Sequence, residues 1–297
     1  MSIRRFPILP KPKNLPKRSS IPNGKEGDRN FDDLAHRFKR NVYDRLKGDI
    51  RLAVLQRDLQ QWLPEAFNFD GAVDLHGGDF SACKPLKILD AGGGQAQFSC
   101  LLAEQGHQVT VCDISSEMLS LARDNAAQLQ VEDRMTFHLE SIQDFCAEHP
   151  QSFDLILCHA VVEWVVEPQL LLERLVSSLK NDGHLSLTYY NVNGIKMKNL
   201  LRANFQKILD EDYQGYRGSL TPTFPRQPED VHQWLAKLPL ELLAESGIRC
   251  FHDYILEPDQ RVLEPEKQLE LELRFSQQEP WRSLGRYIHV FSKQSFA

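Results

Sequence analysis

The sequence of 297 residues lacks any apolar run approaching the roughly 20 residues that a membrane-spanning helix needs. Its first residues, Met1 to Arg5, lack the apolar segment of a secretory signal. Six cysteines are present, but no two form a Cys-x-x-Cys pair, and several lie in apolar runs where a thiol behaves as a small hydrophobic group. We therefore expect a soluble protein in a reducing, cytoplasmic compartment.

Familiar metal and nucleotide motifs are also missing. Asp74 and His76 lie close together, but no further ligands follow at a metal-binding spacing, so no metal is expected. The chain has no Gly-x-x-x-x-Gly-Lys-Ser/Thr sequence, which excludes a P-loop nucleotide site. The dinucleotide pattern Gly-x-Gly-x-x-Gly also fails, because counting from Gly92 places Gln97 at the third glycine.

The chain does have a glycine-rich turn. An apolar run that begins at Lys87 breaks at Gly92, Gly93 and Gly94 and resumes with helical spacing at Phe98. This pattern predicts a strand, a tight turn and the start of a helix. Glycines let the backbone approach a ligand closely, and the free N–H groups at a helix N-terminus face it. On its own, the glycine run is equally consistent with a tight turn that binds nothing.

A second apolar run, residues 109–112, ends in Asp113. In α/β nucleotide folds, an acid at this place accepts hydrogen bonds from the ribose hydroxyls of an adenosine. The plain alternative is that Asp113 caps the next helix, although Ser115 and Ser116 already suit that role. We favour the ribose role, so the two runs together predict an adenosine-containing cofactor at the carboxyl ends of two parallel strands.

Strands and helices alternate from Lys87 to Tyr190 and then resume near the C-terminus. The predicted strands are 87–91, 108–112, 135–139, 153–158, 184–190, 248–255 and 285–292. The predicted helices are 96–105, 115–129, 168–181 (with a glycine C-cap at Gly183) and an acidic helix over 264–275. This order predicts an α/β fold, a doubly wound, mostly parallel seven-stranded sheet with a terminal antiparallel strand.

Composition divides the rest of the chain. Residues 1–27 are rich in Pro, Lys and Ser and carry seven basic residues against Glu26, so we expect a disordered basic arm, either a solvated leader or a tether for RNA. A single domain is expected over 28–297. Within it we distinguish N-terminal helices over 28–63 and a cofactor-binding core over 87–190. A basic insertion for substrate recognition follows over 191–247, and terminal strands with a helix follow over 248–293. A long loop is expected over 64–86.

The cofactor follows from residues 90–94, whose Asp-x-Gly-x-Gly pattern is the first motif of S-adenosylmethionine methyltransferases. The usual third glycine is Ala96, a small departure. We therefore expect S-adenosylmethionine as the cofactor and the class I methyltransferase fold.

Several stretches carry a closer resemblance. They are residues 28–33, 89–94, 106–109, 111–115, 158–165, 190–191 and 285–290, of which Cys158-His-Ala-Val-Val-Glu-Trp-Val165 is the longest. Together, over about 28–293, the sequence resembles bacterial tRNA 5-carboxymethoxyuridine methyltransferases. The resemblance does not extend to the arm or to the 64–86 loop.

The resemblance implies roles that the residues alone do not. By itself, Arg51 at a helix start would be a surface group and His159 a histidine at a strand end. The resemblance implies instead that Arg51 binds the methionine carboxylate of the cofactor and that His159 closes the pocket. It also implies contacts with the methionyl, ribose and adenine groups from Gly92, Gly93, Asp113, Ile142 and Gln143.

The implied reaction is methyl transfer to the carboxylate of 5-carboxymethoxyuridine at the wobble position of tRNA. No catalytic base is expected, because a carboxylic acid with a pKa of about 4 is already ionised at neutral pH. The carboxylate needs a cationic or polar partner, and the candidate substrate-binding residues are Tyr190, Asn191, Lys196, Arg217 and Arg226. Solvated loop charges or phosphate contacts are equally good interpretations of the two arginines.

Two other functions stay open. The net charge of −6 suits an S-adenosylmethionine-dependent O-methyltransferase that acts on a free small-molecule acid. The second alternative is that the chain is a non-catalytic, cofactor-binding partner of an RNA-modifying enzyme.

Overall fold

The computed structural model describes residues 28–32, 46–67, 85–215 and 221–295. The basic arm over 1–27 and Arg217 lie outside these ranges, as do most of the predicted helix after Asp28 and most of the 64–86 loop.

Seven strands and ten α-helices make up the described chain. The strands are β1 (Lys87–Ala91), β2 (Gln108–Asp113), β3 (Met135–Leu139), β4 (Phe153–His159), β5 (Leu179–Tyr190), β6 (Leu240–Ile248) and β7 (Tyr287–Gln294). The helices are α1 (Leu46–Trp62), α2 (Gln97–Glu104), α3 (Ser116–Leu129), α4 (Ile142–Glu148), α5 (Pro168–Ser178), α6 (Val192–Leu201), α7 (Phe205–Leu209), α8 (Pro228–Leu235), α9 (Pro265–Phe275) and α10 (Trp281–Leu284).

The strands form one sheet in the order β3-β2-β1-β4-β5-β7-β6. The first five strands are parallel, and β7 lies antiparallel to both β5 and β6. The strand order reverses between β1 and β4, the position where open α/β sheets bind ligands. The predicted fold class is confirmed, including the antiparallel strand near the end of the chain.

Both faces of the sheet are covered, which explains the nearly unbroken apolar runs of the parallel strands. Ile88 of β1 packs into a cluster with α1, α2 and α3, whereas its neighbour Leu89 packs on the opposite face with α4 and α5. Alternate residues of a strand point to opposite faces, so each run contributes to both clusters.

Two boundaries differ from prediction near the fifth strand. Helix α5 ends at Ser178 rather than near 181, and the chain enters β5 at Leu179. Gly183 is therefore not a helix C-cap, and the residue with a positive φ there is Asp182, at 62°. A glycine is needed at 183 because an added Cβ would lie 2.8 Å from the carbonyl oxygen of Lys180. Close backbone approach, rather than helix termination, explains this glycine.

The predicted strand over 248–255 is wrong. Strand β6 ends at Ile248, where that prediction begins, and the chain turns through Arg249, whose φ is 59°. Glu272 of α9 then accepts hydrogen bonds from the backbone N–H groups of residues 250, 251 and 252 at 2.6, 3.1 and 2.8 Å. These bonds hold the segment as a turn. The basic insertion over 191–247 consequently includes a core strand, β6.

Within the described ranges, no helix combines the length and apolar character needed to cross a membrane.

Candidate functional site

A cavity lies at the carboxyl ends of β1, β2 and β4, at the reversal of strand order. Its empty volume, including the open mouth, is about 1020 Å³. That size is at the upper end of the range for cofactor and small-molecule sites. The three strand ends contribute Asp90, Asp113 and His159, and helix α1 contributes Arg51 from the side.

The floor of the cavity is the glycine turn between β1 and α2. Gly92 and Gly94 have φ values of 71° and 55°, a region that only glycine adopts readily. The N–H of Gly92 donates to the carbonyl of Cys112 at 2.8 Å, which ties the turn to β2. A Cβ on Gly92 would lie 2.6 Å from Val161, whereas one on Gly94 would meet only Met118 at 3.9 Å. Gly94 therefore leaves open space beside the cavity.

Asp113 accepts two backbone hydrogen bonds at the end of β2. Its Oδ2 accepts from the N–H of Gly94 at 2.9 Å, and its Oδ1 accepts from the N–H of Ser115 at 2.8 Å. Ser115 itself caps α3 through the N–H of Met118, so Asp113 is not needed as that helix cap. Burial raises the pKa of Asp113, and the two backbone hydrogen bonds oppose that rise. Each carboxylate oxygen keeps a lone pair for a further donor.

Asp90, at the end of β1, is a second carboxyl of the cavity. Burial raises its pKa to about 6, against the opposing effect of a hydrogen bond from the Ser99 hydroxyl at 2.6 Å. The nearby charge of Asp113 raises the pKa further, and Arg51 lowers it. A site with two carboxyls and one guanidinium suits a ligand that carries both positive and negative groups.

His159 is held by a chain of buried hydrogen bonds that crosses the sheet. Its Nε2 lies 2.8 Å from the Ser186 hydroxyl, which lies 2.9 Å from Nε2 of His289, and Nδ1 of His289 lies 2.7 Å from Asp58. Arg57 also forms an ion pair with Asp58, at 2.6 Å.

The direction of one hydrogen bond in this chain is fixed. Burial opposes the ionisation of Asp58, but hydrogen bonds from His289 and Arg57 lower its pKa overall, so Nδ1–H of His289 donates to its carboxylate. The Ser186 hydroxyl donates to one of the two Nε2 atoms and accepts from the other. Burial and the nearby Arg51 guanidinium lower the pKa of His159 well below its usual value, so the ring is neutral.

Residues 28–32 lie across the cavity mouth and contact both rims. On one rim, Asp28 accepts hydrogen bonds from Gln143 Nε2 and from the N–H of Val166, each at 3.0 Å. On the other rim, Asn30 Nδ2 donates to the carbonyl of Ile114 at 3.0 Å. Phe31 packs edge-on against Trp164 with ring centroids 4.8 Å apart. We call residues 28–32 the N-terminal strap.

All seven residues predicted to bind the cofactor line this cavity. They are Arg51, Gly92, Gly93, Asp113, Ile142, Gln143 and His159. Their contact with a cofactor stays a prediction, but the fold brings them together from five separate parts of the chain.

Other lining residues were missed from sequence, among them Asp28, Phe31, Gln97 and Trp164. Asp28 and Trp164 lie in stretches that carried the family resemblance, which was the available signal. In the sequence, Gln97 stands out only as a mismatch to the dinucleotide pattern. Its Oε1 is buried with no hydrogen-bond partner in the described structure.

The predicted substrate-binding residues that the structure describes do not line the cavity. Asn191 caps α6, and its amide donates to the carbonyls of Ser283 and Gly285 at 3.0 and 2.8 Å. Arg226 donates to the backbone carbonyls of Val162 and Val165.

The other two described candidates also have internal contacts. The Tyr190 hydroxyl accepts from Arg286 at 3.0 Å, and the Lys196 ammonium lies 5.6 Å from the centre of the Tyr213 ring. A role for any of the four in substrate binding stays a prediction, and their observed contacts account for their positions without one.

Among the described residues, no group of three or more His, Cys, Asp or Glu side chains could hold a metal ion.

Residues 83–237 match the methyltransferase domain family. The chain is 39% identical over 267 residues to tRNA 5-carboxymethoxyuridine methyltransferase of Escherichia coli strain K12, covering 90% of this chain and 97% of that protein.

Two solved structures share the fold. A Haloferax volcanii chain in complex with the Trm112 methyltransferase activator matches 90% of this chain and 96% of its own length, with a TM-score of 0.55 and 14% identity. The 1,6-didemethyltoxoflavin-N1-methyltransferase of Burkholderia thailandensis, solved with S-adenosylhomocysteine, matches 90% of this chain and 86% of its own length, with a TM-score of 0.50 and 14% identity.

The extent of the match to the Escherichia coli protein and the presence of the methyltransferase domain lead to one assignment: the chain belongs to the family of tRNA 5-carboxymethoxyuridine methyltransferases.

Proposed function

We propose that this protein transfers a methyl group from S-adenosylmethionine to the carboxylate of 5-carboxymethoxyuridine at the wobble position of tRNA, in the cytoplasm. The observation that supports it most is that one cavity at the switch of strand order is lined by the glycine turn, Asp113 and Arg51, in a chain that matches a tRNA methyltransferase over 90% of its length. We infer the substrate from the family resemblance and the site of the reaction from the cavity.

The residues of the cavity fit the methyl donor group by group. Asp113 has lone pairs available for two ribose hydroxyls, and Arg51 suits the methionine carboxylate. The buried, unpartnered Oε1 of Gln97 is an acceptor that an ammonium group would satisfy. Ile142 and Met118 provide apolar contacts for an adenine ring. The open space beside Gly94 leaves room for a ligand that a larger side chain would displace.

Bound there, S-adenosylmethionine would supply an electrophilic methyl carbon attached to a positively charged sulfur. The substrate carboxylate is ionised at neutral pH, so no side chain has to remove a proton. That methyl group would pass to a carboxylate oxygen, and the electron pair of the carbon–sulfur bond would go to sulfur. One negative and one positive charge would be lost together, so no proton would need to move.

The work of this chain is therefore alignment and exclusion of water. Asp113 and Arg51 fix two ends of the donor, which restricts the direction in which its methyl group points. His159 is neutral, which avoids a second positive charge beside the sulfonium. The N-terminal strap covers the mouth and lowers the access of water to the reacting atoms.

The direct test uses the purified full chain, S-adenosylmethionine and tRNA from a strain that lacks the gene. After digestion, nucleoside mass spectrometry should show the methyl ester appearing and the free acid disappearing. An Asp113→Ala variant is the control for contamination and should show no product.

Two outcomes would overturn the proposal. Methylation of free carboxylic acids without tRNA would identify a small-molecule O-methyltransferase. Binding of S-adenosylmethionine with no turnover on any tRNA pool would identify a non-catalytic partner.

A further inference from the structure

A cluster of basic side chains lies at the same end of the sheet as the cavity, where the parallel strands terminate. It consists of Lys47, Lys198, Arg249 and Arg286, arranged around Asp253, and we call it the basic cluster. Arg286 donates to Asp253 at 2.8 Å, and Arg249 lies 3.5 Å from the same carboxylate oxygen. Lys47 and Lys198 interact with Asp253 electrostatically and are half-buried.

The sheet topology places this cluster beside the cavity. Strand β6 ends at Ile248, next to Arg249, and β7 begins at Tyr287, next to Arg286. Ile248 pairs with Tyr287, and Tyr190 at the end of β5 pairs with Tyr287 on its other side. Because β5 is parallel to β1 and β4, these strand ends lie at the same end of the sheet as the glycine turn.

A single aromatic ring connects the cluster to the cavity. The Tyr287 ring centre lies 5.8 Å from the guanidinium carbon of Arg51, which lines the cavity, and 5.5 Å from that of Arg249. Lys47 lies one turn before Arg51 on α1, so the two side chains point to the same side of that helix.

The cluster has more positive charge than its own acids balance. Its four basic groups face one carboxylate, and neither Lys47 nor Lys198 has an ion-pair partner within the described parts of the chain. Half-buried lysines with like-charged neighbours are unfavourable without an anion. Burial and the charge of Arg286 lower the pKa of Lys198 to about 8, which is consistent with a missing counter-charge.

Nearby acids do not supply that charge. Glu272 uses its carboxylate to accept the three backbone N–H bonds of residues 250–252. Glu163, which also interacts with Tyr287, is fully buried, and burial raises its pKa to about 7.

We propose that the basic cluster binds the carboxylate of the substrate nucleoside, with Lys47 and Lys198 as its direct partners and with Arg249 and Arg286 held in place by Asp253. This inference rests on the proposed function and names the side chains that would hold its substrate. A carboxylate at Lys47 and Lys198 would lie next to the cavity and would add a second negative charge to a cluster whose four basic groups face the single carboxylate of Asp253. Two lysines also suit a nucleophile that must stay reactive, because each is a mobile point charge and not a rigid bidentate fork.

The test compares Lys47→Met and Lys198→Met with Lys237→Met. Lys237 is an exposed lysine that precedes β6, at the opposite end of the strands. The wild-type protein is assayed first on tRNA that carries 5-carboxymethoxyuridine, so that failure of the proposed function is seen before any variant is measured. Each variant is then assayed on that tRNA, and its binding is measured to the same tRNA without the carboxymethoxy group.

We expect kcat/KM for the modified tRNA to fall about 10-fold to 100-fold in each cluster variant, the loss typical of a charge-assisted hydrogen bond. Binding of the unmodified tRNA should change less than about twofold, and binding of S-adenosylmethionine should not change. Lys198→Arg keeps the positive charge and should recover much of the loss, which a folding defect would not allow.

Two results would overturn the inference while leaving methyl transfer intact. If both cluster variants behave like Lys237→Met on the modified tRNA, the lysines do not bind the substrate carboxylate. If the variants weaken binding of modified and unmodified tRNA equally and reduce the salt dependence, the cluster contacts phosphates instead.

Discussion

The carboxylate of Asp113 and the backbone N–H of Gly94 are joined by a hydrogen bond of 2.9 Å, which connects the end of β2 to the turn after β1. The residue proposed to hold the ribose therefore also fixes the backbone beneath the donor. In Asp113→Asn the amide has one acceptor oxygen, so it cannot accept from Gly94, Ser115 and two ribose hydroxyls together. We expect the Kd for S-adenosylmethionine to rise about 10-fold to 100-fold by isothermal calorimetry.

Asp124→Asn is the matched control, because Asp124 is exposed on α3. It should leave the Kd unchanged. Equal affinity in the two variants would remove Asp113 from the donor site.

Gly94 separates a stability effect from a binding effect. An alanine there is strained at a φ of 55°, at a cost of about 1–2 kcal/mol, but its Cβ enters open space beside the cavity. Gly106→Ala is the control, because Gly106 also has a positive φ, of 98°, and its added Cβ meets only the end of Arg134 at 3.0 Å. Chemical denaturation should show similar losses of stability in both. Only Gly94→Ala should weaken donor binding, about tenfold or more; a similar loss of affinity in Gly106→Ala would contradict this.

Ser186 is the central link between His159 and His289, so its hydroxyl should affect both stability and the His159 tautomer. Ser186→Ala leaves a buried N–H and a buried acceptor without a partner, at roughly 2–4 kcal/mol of unfolding free energy. The ¹⁵N shifts of His159 should also change, because Nε2 loses its hydrogen-bond partner. Ser178→Ala, which removes one buried hydrogen bond to Cys146, should cost about 1 kcal/mol and leave these shifts alone. Unchanged shifts in Ser186→Ala would show that the serine does not set the tautomer.

Glu163 should make stability fall as pH rises. It is fully buried, and burial raises its pKa from 4.5 to about 7, against smaller opposing effects that include backbone hydrogen bonds from Glu163 and Tyr190. Between these values the unfolded chain releases this proton while the folded chain keeps it. Folding is therefore opposed increasingly over that interval, by roughly 3 kcal/mol in total.

Glu163→Gln cannot ionise, so its unfolding free energy relative to wild type should rise as the pH goes from 4.5 to 7. Urea denaturation at several pH values measures this difference. Glu167→Gln, at an exposed position close by, serves as the control and should show a constant difference. A constant difference for Glu163→Gln as well would mean that Glu163 ionises normally in the folded protein.

The parallel core was predictable from sequence because its strands are buried on both faces, so the apolar runs that end at Ala91 and Asp113 stand out. The glycine turn and Asp113 were predictable for the same reason, since each follows such a run directly. Strand β6 was missed because Leu240–Ile248 has exposed polar residues and a bulge near Ala244, which break its alternation.

The basic cluster was not predictable as a unit. Lys47 and Arg286 are 239 positions apart in the sequence. The pairing of β7 with β5 and β6 brings Arg286 to the end of the sheet where the cavity lies. Arg51 also gave no signal of its own. Its place beside the cavity depends on how α1 packs on the sheet, which a local pattern does not record.

The recognised methyltransferase domain, residues 83–237, is smaller than the working site. The N-terminal strap and Arg51, which line the cavity, precede that domain. Tyr287, which contacts Arg51, and His289, which connects to His159 through Ser186, follow it. A fragment cut to the recognised domain would keep the glycine turn and Asp113 but would lack the residues that line the mouth and one side of the cavity. We therefore expect methyl transfer to require residues that precede the recognised domain and residues that follow it.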